Sequence, residues 1–425
     1  MSGRRVLVLA PFPPRLDGQH GGSRAVARLA AGLADRSRVA LAYLRATDEP
    51  PADPELAAAC DRVLEVPRPG ISTSSLRPWP RALAVLGGVA EGMPLWVAAR
   101  RSADFARRVR ELAAVWRPEV LQAEFTAMGQ YLGAVEDRRV RRVVTVHEPG
   151  APAAWERVLA AGGWERAFWR ADARRWERFE AETLHRADAA VVYTGRDRAE
   201  TERVAPGTPA VRIPLAVPVP GRASDPLGGD PPALLFVGSF VHPPNLDAAL
   251  HLVRDLFPRL RARFPALELF LVGDGPPDAL RAAAGPGVTV TGWVPELAPY
   301  LDRASLVVAP VRRGGGMRVK VAEALAAGKA TVGSALAFEG LDVQSGTHAL
   351  VASAAEDFVA AAAALLADPG RRARLAASAR AWALANLGPQ RTAEAYLALY
   401  ERLLAGEPRG AEYEARPGKS PGAVA

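Results

Sequence analysis

What most constrains the fold of this chain is a rhythm of short, nearly continuous apolar runs alternating with helical patterns. It is broken once, by the segment 213–232, Ile-Pro-Leu-Ala-Val-Pro-Val-Pro-Gly-Arg-Ala-Ser-Asp-Pro-Leu-Gly-Gly-Asp-Pro-Pro. Before the break, strands are expected at Arg5–Ala10, Arg38–Leu44, Arg62–Val66, Val120–Ala123, Arg141–Val146 and Ala189–Tyr193. After it they are expected at Ala233–Val237, Glu268–Val272, Val288–Thr291, Ser305–Ala309 and Lys329–Val332. Strands this short, apolar on both faces and separated by helices, belong to parallel sheets covered on both sides and joined by right-handed βαβ crossovers. So many prolines and glycines cannot continue a helix or a central strand. The expected class is therefore α/β, with two Rossmann-like parallel-sheet domains facing across a cleft. Their bounds are 1–213 and 233–386, with a linker at 214–232. A helix at 387–406 is expected to pack back on the first domain, followed by a disordered tail at 407–425. A length of 425 residues allows two such domains.

Charge raises a rival reading. Lys and Arg total 54 against 46 Asp and Glu, a net charge of +8. Lys occurs only at 320, 329 and 419, so 51 of the 54 are Arg, and Ala, Gly and Pro are also abundant. All four have GC-rich codons, so biased base composition accounts for the excess. The Arg are also interleaved with acids, as in Glu156-Arg157 and Glu165-Arg166, and no block of like charge forms a nucleic-acid-binding arm. The single Cys60 excludes an intramolecular disulfide and a cysteine-based zinc site, as expected of a cytoplasmic protein. The Arg4-Arg5 pair and the apolar run after it are cut short by Pro11, Pro13 and Pro14, which suits a first strand better than an export signal.

Two glycine-rich turns carry the chemistry. The first strand leads through Gly18 to Gly21-Gly22 at the start of a helix, where free amides and the helix dipole favour an anion. The bland alternative is a plain βα turn. The Gly-x-Gly-x-x-Gly spacing is absent, and with it the dinucleotide fingerprint. The second turn reads Arg313-Gly-Gly315-Gly316-Met-Arg318-Val-Lys320-Val-Ala-Glu323. Backbone donors, dipole and two cations converge there, which suits a diphosphate, and Glu323 could accept bonds from sugar hydroxyls. The alternative is a Lys320–Glu323 surface pair. A phosphate-binding Walker loop is excluded because Ala330 follows Gly328-Lys329.

The run Gly-Gly-Gly-Met-Arg-Val-Lys-Val-Ala-Glu-Ala-Leu-Ala-Ala-Gly-Lys from 314, followed by Ala337-Phe-Glu339-Gly340-Leu341, resembles the donor-site segment of retaining, family-4-type glycosyltransferases of GT-B fold. Further matches are Leu235-Phe-Val-Gly-Ser239-Phe-Val-His242-Pro-Pro-Asn245-Leu-Asp247, Leu271-Val-Gly273-Asp274-Gly275, Val290-Thr-Gly292-Trp293-Val294-Pro and Thr145-Val-His147-Glu148. The resemblance implies transfer of a sugar, with retention, from a UDP-, GDP- or ADP-sugar to an acceptor hydroxyl on a polysaccharide, lipid-linked glycan or secondary metabolite. No metal or other cofactor would be obligatory. It places the diphosphate on Arg318 and Lys320, the ribose on Glu323, and the base at the loops of Gly273 and Gly292, Trp293 and Val294. Gly21 and Gly22 would lie near the β-phosphate, and Gly315 and Gly316 in the phosphate loop. The family's first Glu of a Glu-x7-Glu pair is here Gly315, and Ser239, His242 and Asn245 stand where an Arg and a Lys are common. Rival readings are a sugar-nucleotide epimerase or hydrolase of the same fold, and a non-catalytic sugar-nucleotide-binding scaffold.

Two more residues end strands of the first domain. His147 is placed to bond a donor-sugar hydroxyl or the reacting centre, and Glu124 to orient or deprotonate an acceptor hydroxyl. The alternatives are a structural His and a solvated loop carboxylate. Trp293 is expected to pack its loop rather than stack on a base, and Asp274 to form a turn. From Trp155 to Arg186 the chain is rich in Trp, Phe and Arg, which suits either one buried stripe or peripheral contact with the inner face of a membrane.

Overall fold

The computed structural model of the chain describes residues 3–18, 21–68 and 79–406. The tail expected at 407–425 lies outside them. Two compact units form. One spans Met1–Ala216 and takes in the helix Pro389–Ala405, and the other spans Val217–Gly388.

The first unit is built on seven parallel strands: β1 (Arg5–Ala10), β2 (Arg38–Arg45), β3 (Arg62–Pro67), β4 (Val120–Glu124), β5 (Arg141–Val146), β6 (Ala189–Val192) and β7 (Ala210–Arg212). Their order is β3-β2-β1-β4-β5-β6-β7. Every residue of β4 and β6 is buried, because helices cover both faces of a central parallel strand. Alternation divides the core accordingly. Leu7 and Leu9 of β1 face a layer with Phe105, Val109 and Trp116, while Val6 and Val8 face the first helix, Gly21–Ala34, and the last, Pro389–Ala405. These two helices approach closely at Gly32, where an added Cβ would lie 3.0 Å from Ala393 Cβ. β3, at the sheet edge, is only partly buried, as edge strands are.

The second unit has six parallel strands: β8 (Ala233–Val237), β9 (Glu268–Val272), β10 (Val288–Gly292), β11 (Leu306–Ala309), β12 (Thr331–Gly333) and β13 (Leu350–Val351). The order is β10-β9-β8-β11-β12-β13. In both units β1 or β8 sits inside the sheet and the next strands run outward from it in both directions. This is the doubly wound arrangement in which loops at the C-terminal strand ends gather at one edge. β7 and β13 were not foreseen in the sequence. They have three and two residues, too few to carry a pattern.

Candidate active site

At the C-terminal edge of the first sheet, β4 ends on Glu124 and β5 is followed directly by His147. Parallel register sets Glu124 beside Thr145, two residues short of His147. His147 Nε2 lies 2.8 Å from Glu124 Oε2. The other carboxylate oxygen, Oε1, accepts bonds from Gln122 Nε2 and Thr145 Oγ1, both at 2.9 Å. Glu124 is 1% exposed, which answers both sequence readings of it. It is not a solvated loop carboxylate, nor does it present itself to an incoming hydroxyl. It lies beneath His147, whose side chain keeps about 10% of its surface exposed. A buried carboxylate is tolerated only when its lone pairs are filled, and here Gln122, Thr145 and His147 fill them.

The imidazole is held on its faces as well. Phe125 stacks on it at 3.7 Å with the planes 3° apart, and Tyr193 meets it edge-on at 5.2 Å. Phe125 has φ +68°, ψ 138°, a conformation that costs a non-glycine residue about 1–3 kcal/mol. The strained backbone turns its ring toward His147 and toward Phe12, 5.1 Å away at 76°. The same ring explains Gly22. An added Cβ there would lie 2.5 Å from Phe125 Cζ, so the first helix can start against the stack only with glycine at this place. Gly21 has open space around its Cβ position. The loop before the helix is pinned by Ser23, whose hydroxyl donates to the Pro13 carbonyl at 2.7 Å and accepts from the Arg15 amide at 3.0 Å. Gly21, Gly22, Glu124 and His147 are thus brought together, with Phe125 between them. Sequence reasoning missed Phe125, Tyr193 and the polar layer beneath. The one available signal was the polar pair Gln122 and Glu124, two apart on one face of an otherwise apolar strand.

In the second unit the loops after β8, β9, β10, β11 and β12 hold the remaining candidates. The loop after β11 turns through Gly314 (φ +98°) and Gly316 (φ +69°). It is tied down by Asp247 of the helix Pro243–His251, whose carboxylate bonds Arg312 at 2.9 and 3.1 Å and Arg313 at 3.0 Å. Gly314 lies over Pro244, 2.9 Å from where its Cβ would be. The Arg318 guanidinium folds back onto its own loop, donating to the carbonyls of Gly314 (2.9 Å), Gly315 and Gly316 (2.8 Å). Arg318 caps the helix Val319–Ala326 without a side-chain bond to its amides. Lys320 Nζ pairs with Glu323 Oε2 at 2.8 Å. Lys320 is about one third exposed, whereas Glu323 is nearly buried, at 11%.

The neighbouring loops are laced together. Gly238 donates to Val272 and Gly273 to Gly292, both at 3.0 Å. Ser239 Oγ bonds Asp274 at 3.2 Å, and Asn245 Nδ2 donates to the Ser239 carbonyl at 2.9 Å. Asp274 thus ties the loop after β9 to the loop after β8. Gly273 (φ +154°) allows a close approach, since a Cβ there would fall 1.8 Å from the Gly238 carbonyl oxygen. Beyond Gly292 (φ +74°), Val294 packs against the core containing Leu301. Trp293 does not pack its loop as expected. It is 60% exposed, because the positive φ of Gly292 turns the chain outward and Val294 takes the inward place. His242 is exposed at the start of its helix. Glu339 follows the short helix Ala335–Phe338 after β12.

The aromatic stretch of the first unit is divided between buried and exposed residues. Trp176 is buried against Ala151, Ala154 and Val158, with Trp155, Trp169 and Phe179 partly buried beside it. Leu159, Trp164 and Phe168 are exposed around the turn joining the helices Gly150–Ala160 and Gly163–His185. Among the described residues, no helix is long and apolar enough to cross a membrane.

Residues 231–368 match the family described as Glycosyl transferases group 1. Phosphatidyl-myo-inositol mannosyltransferase of Mycolicibacterium smegmatis is 34% identical over 139 residues, 31% of this chain and 35% of that protein. The protein of the same name from Mycobacterium tuberculosis is also 34% identical, over 36% of its length. The matched segment thus spans about a third of these relatives. Among solved structures, sucrose-phosphate synthase from Thermosynechococcus elongatus superposes over 95% of this chain and 100% of its own, with a TM-score of 0.69 and 19% identity. Anabaena Alr3699/HepE, solved in complex with UDP and glucose, superposes over 94% and 99%, with a TM-score of 0.63 and 12% identity. The chain thus has the GT-B fold of these glycosyltransferases, and its residues 231–368 are similar to the group 1 glycosyltransferase family.

Proposed function

We propose that the protein is a retaining glycosyltransferase that takes a nucleoside diphosphate sugar on its second unit and serves the reacting centre from the first through His147. The observation that carries this reading is the family match of residues 231–368, which contains every loop candidate of the second unit from Ser239 to Glu339. UDP and glucose in the Anabaena structure of like fold support the donor class. In this reading the first-turn amides after Gly316, with Arg318 and Lys320, take the diphosphate. Glu323 takes the ribose hydroxyls, exchanging Lys320 for them, and the Gly273 and Gly292–Val294 loops take the base. Charge-assisted bonds to phosphate are stronger than the carbonyl bonds Arg318 makes in the free loop, so ligand binding can draw the guanidinium over.

Transfer forms a bond from the acceptor oxygen to the anomeric carbon and breaks the bond from that carbon to the phosphate oxygen. The leaving diphosphate keeps the electron pair and receives the acceptor's proton. His147, fixed by Glu124 and Phe125, contributes a hydrogen bond at the donor sugar, and the cations stabilise the leaving charge. No metal is required in this scheme. The acceptor class favoured by an observation is a lipid-linked one, because Leu159, Trp164 and Phe168 are exposed together near Arg166 and Arg170, a composition suited to a membrane surface.

Thermal shift with UDP, GDP and ADP tests the donor reading. Stabilisation by at least one is expected, and none with any would refute it. Proton NMR of product formed from the sugar nucleotide that binds, in an acceptor extract, should show the donor's anomeric configuration retained. Flotation with anionic vesicles should weaken on Trp164→Ser if the exposed cluster meets lipid.

A further inference from the structure

The polar layer under His147 reaches the far end of the chain. The last helix sends two phenols into it, Tyr396 and Tyr400, both fully buried. Tyr400 Oη donates to Gln122 Oε1 at 2.9 Å, and Tyr396 Oη lies 3.1 Å from Thr145 Oγ1. Gln122 Nε2 also donates to Thr145 Oγ1, at 2.7 Å. Counting protons fixes the directions at Thr145 and Gln122. Thr145 has one hydroxyl proton, given to Glu124, so Tyr396 must be the donor to Thr145. Gln122 receives Tyr400 on its carbonyl oxygen, so its NH2 must face Glu124 and Thr145. Gln122 and Thr145 therefore both donate to Glu124 Oε1, and Oε2 is left to accept from His147 Nε2–H. Were either phenol absent, the Gln122 amide could flip or the Thr145 hydroxyl rotate, and the second carboxylate oxygen would no longer be specified.

Granted that His147 serves the reacting centre as proposed above, we infer that Tyr396 and Tyr400 are positioning residues, which hold His147 in its Nε2–H tautomer by orienting Thr145 and Gln122 against Glu124. This gives the return of the final helix to the first unit a chemical purpose beyond packing. It also accounts for two tyrosines four residues apart where phenylalanine would fill the same space. The phenols stay protonated across the working range, since burial and the nearby Glu124 charge hold both well above the ordinary tyrosine value.

The test uses the full-length protein carrying 15N-labelled histidine, whose six imidazoles are few enough for His147 to be assigned by its loss in His147→Gln. The wild type should show a single Nε2–H tautomer at His147. In Tyr396→Phe/Tyr400→Phe that signal should move toward a mixture of tautomers. Turnover of whichever of UDP-glucose, GDP-mannose and ADP-glucose the wild type consumes should fall about tenfold or more in kcat, with KM for that donor unchanged. His147 ring shifts identical in wild type and double variant overturn the inference, even if kcat falls, because a purely structural loss would leave the tautomer alone. Should the double variant fail to fold, Tyr400→Phe alone is read in the same way. If the ring shifts move as expected but His147→Gln retains full turnover, the relay stands and the catalytic reading of His147 falls.

Discussion

The two units each build a loop cluster at the C-terminal edge of a parallel sheet, and the two clusters differ in how far they are locked. The first unit fixes its loops with buried carboxylates. Glu180 accepts the amides of Gly150 and Ala151, the latter at 2.9 Å, Asp172 accepts Leu95 at 2.8 Å, and Glu124 anchors His147. The second unit ties its loop after β11 differently, with the Arg318 guanidinium on the loop's own carbonyls at Gly314–Gly316 and the Asp247 carboxylate on Arg312 and Arg313. The carboxylate-held site is finished in the free protein, with side chains locked by aromatic stacking. In the loop after β11 the Arg318 guanidinium occupies a place that a polyanion can outbid. A preorganised centre and an exchangeable anion site are what the proposed function asks of the first and the second unit respectively.

The sharpest way to break this contrast is to remove His147. His147→Ala should lower kcat about 100-fold or more, with the affinity for nucleoside diphosphate unchanged, as checked by kinetics beside calorimetry. A large change in nucleotide affinity would mean that the first unit is no separate catalytic element. Glu124→Gln should fall in the same class. Arg318→Ala and Lys320→Ala should do the opposite, each weakening nucleoside diphosphate binding about 10- to 100-fold. Gly22→Ala pushes a methyl into Phe125, and should cost about 1–3 kcal/mol by chemical denaturation and disturb the His147 stack.

The smallest effect concerns pH. Burial raises Glu180 from 4.5 to about 7 despite its two amide donors. Between those values the folded state keeps a proton that the unfolded chain releases, so this contribution to stability is full below pH 4.5 and is lost as pH rises through 7. Burial lowers Lys329 from 10.5 to about 8, so its contribution is full above 10.5 and is lost as pH falls through 8. Glu180→Gln should flatten the acid-side slope of the first unit's melting temperature and leave the alkaline side unchanged.

Much of this was legible in the sequence. Strands such as Arg5–Ala10, Arg141–Val146 and Glu268–Val272 were bounded correctly because continuous apolar runs between helices leave little choice. The glycine loops were visible because positive φ restricts the residue type. Side-chain partnership was less accessible. Glu124 and His147 are 23 residues apart, and only the β4–β5 register sets one under the other. Tyr400 meets Gln122 across 278 residues, a contact that no local pattern encodes. The exposure of Trp293 follows from which way a single glycine turns, which hydrophobicity does not report.

The division of labour between the units is tested most directly by calorimetric titration of UDP, GDP and ADP into wild type, His147→Ala and Arg318→Ala/Lys320→Ala side by side. The account predicts that the nucleotide bound by wild type is bound equally by His147→Ala and at least tenfold more weakly by the double variant. Equal binding by the double variant, or loss of binding in His147→Ala, would contradict it.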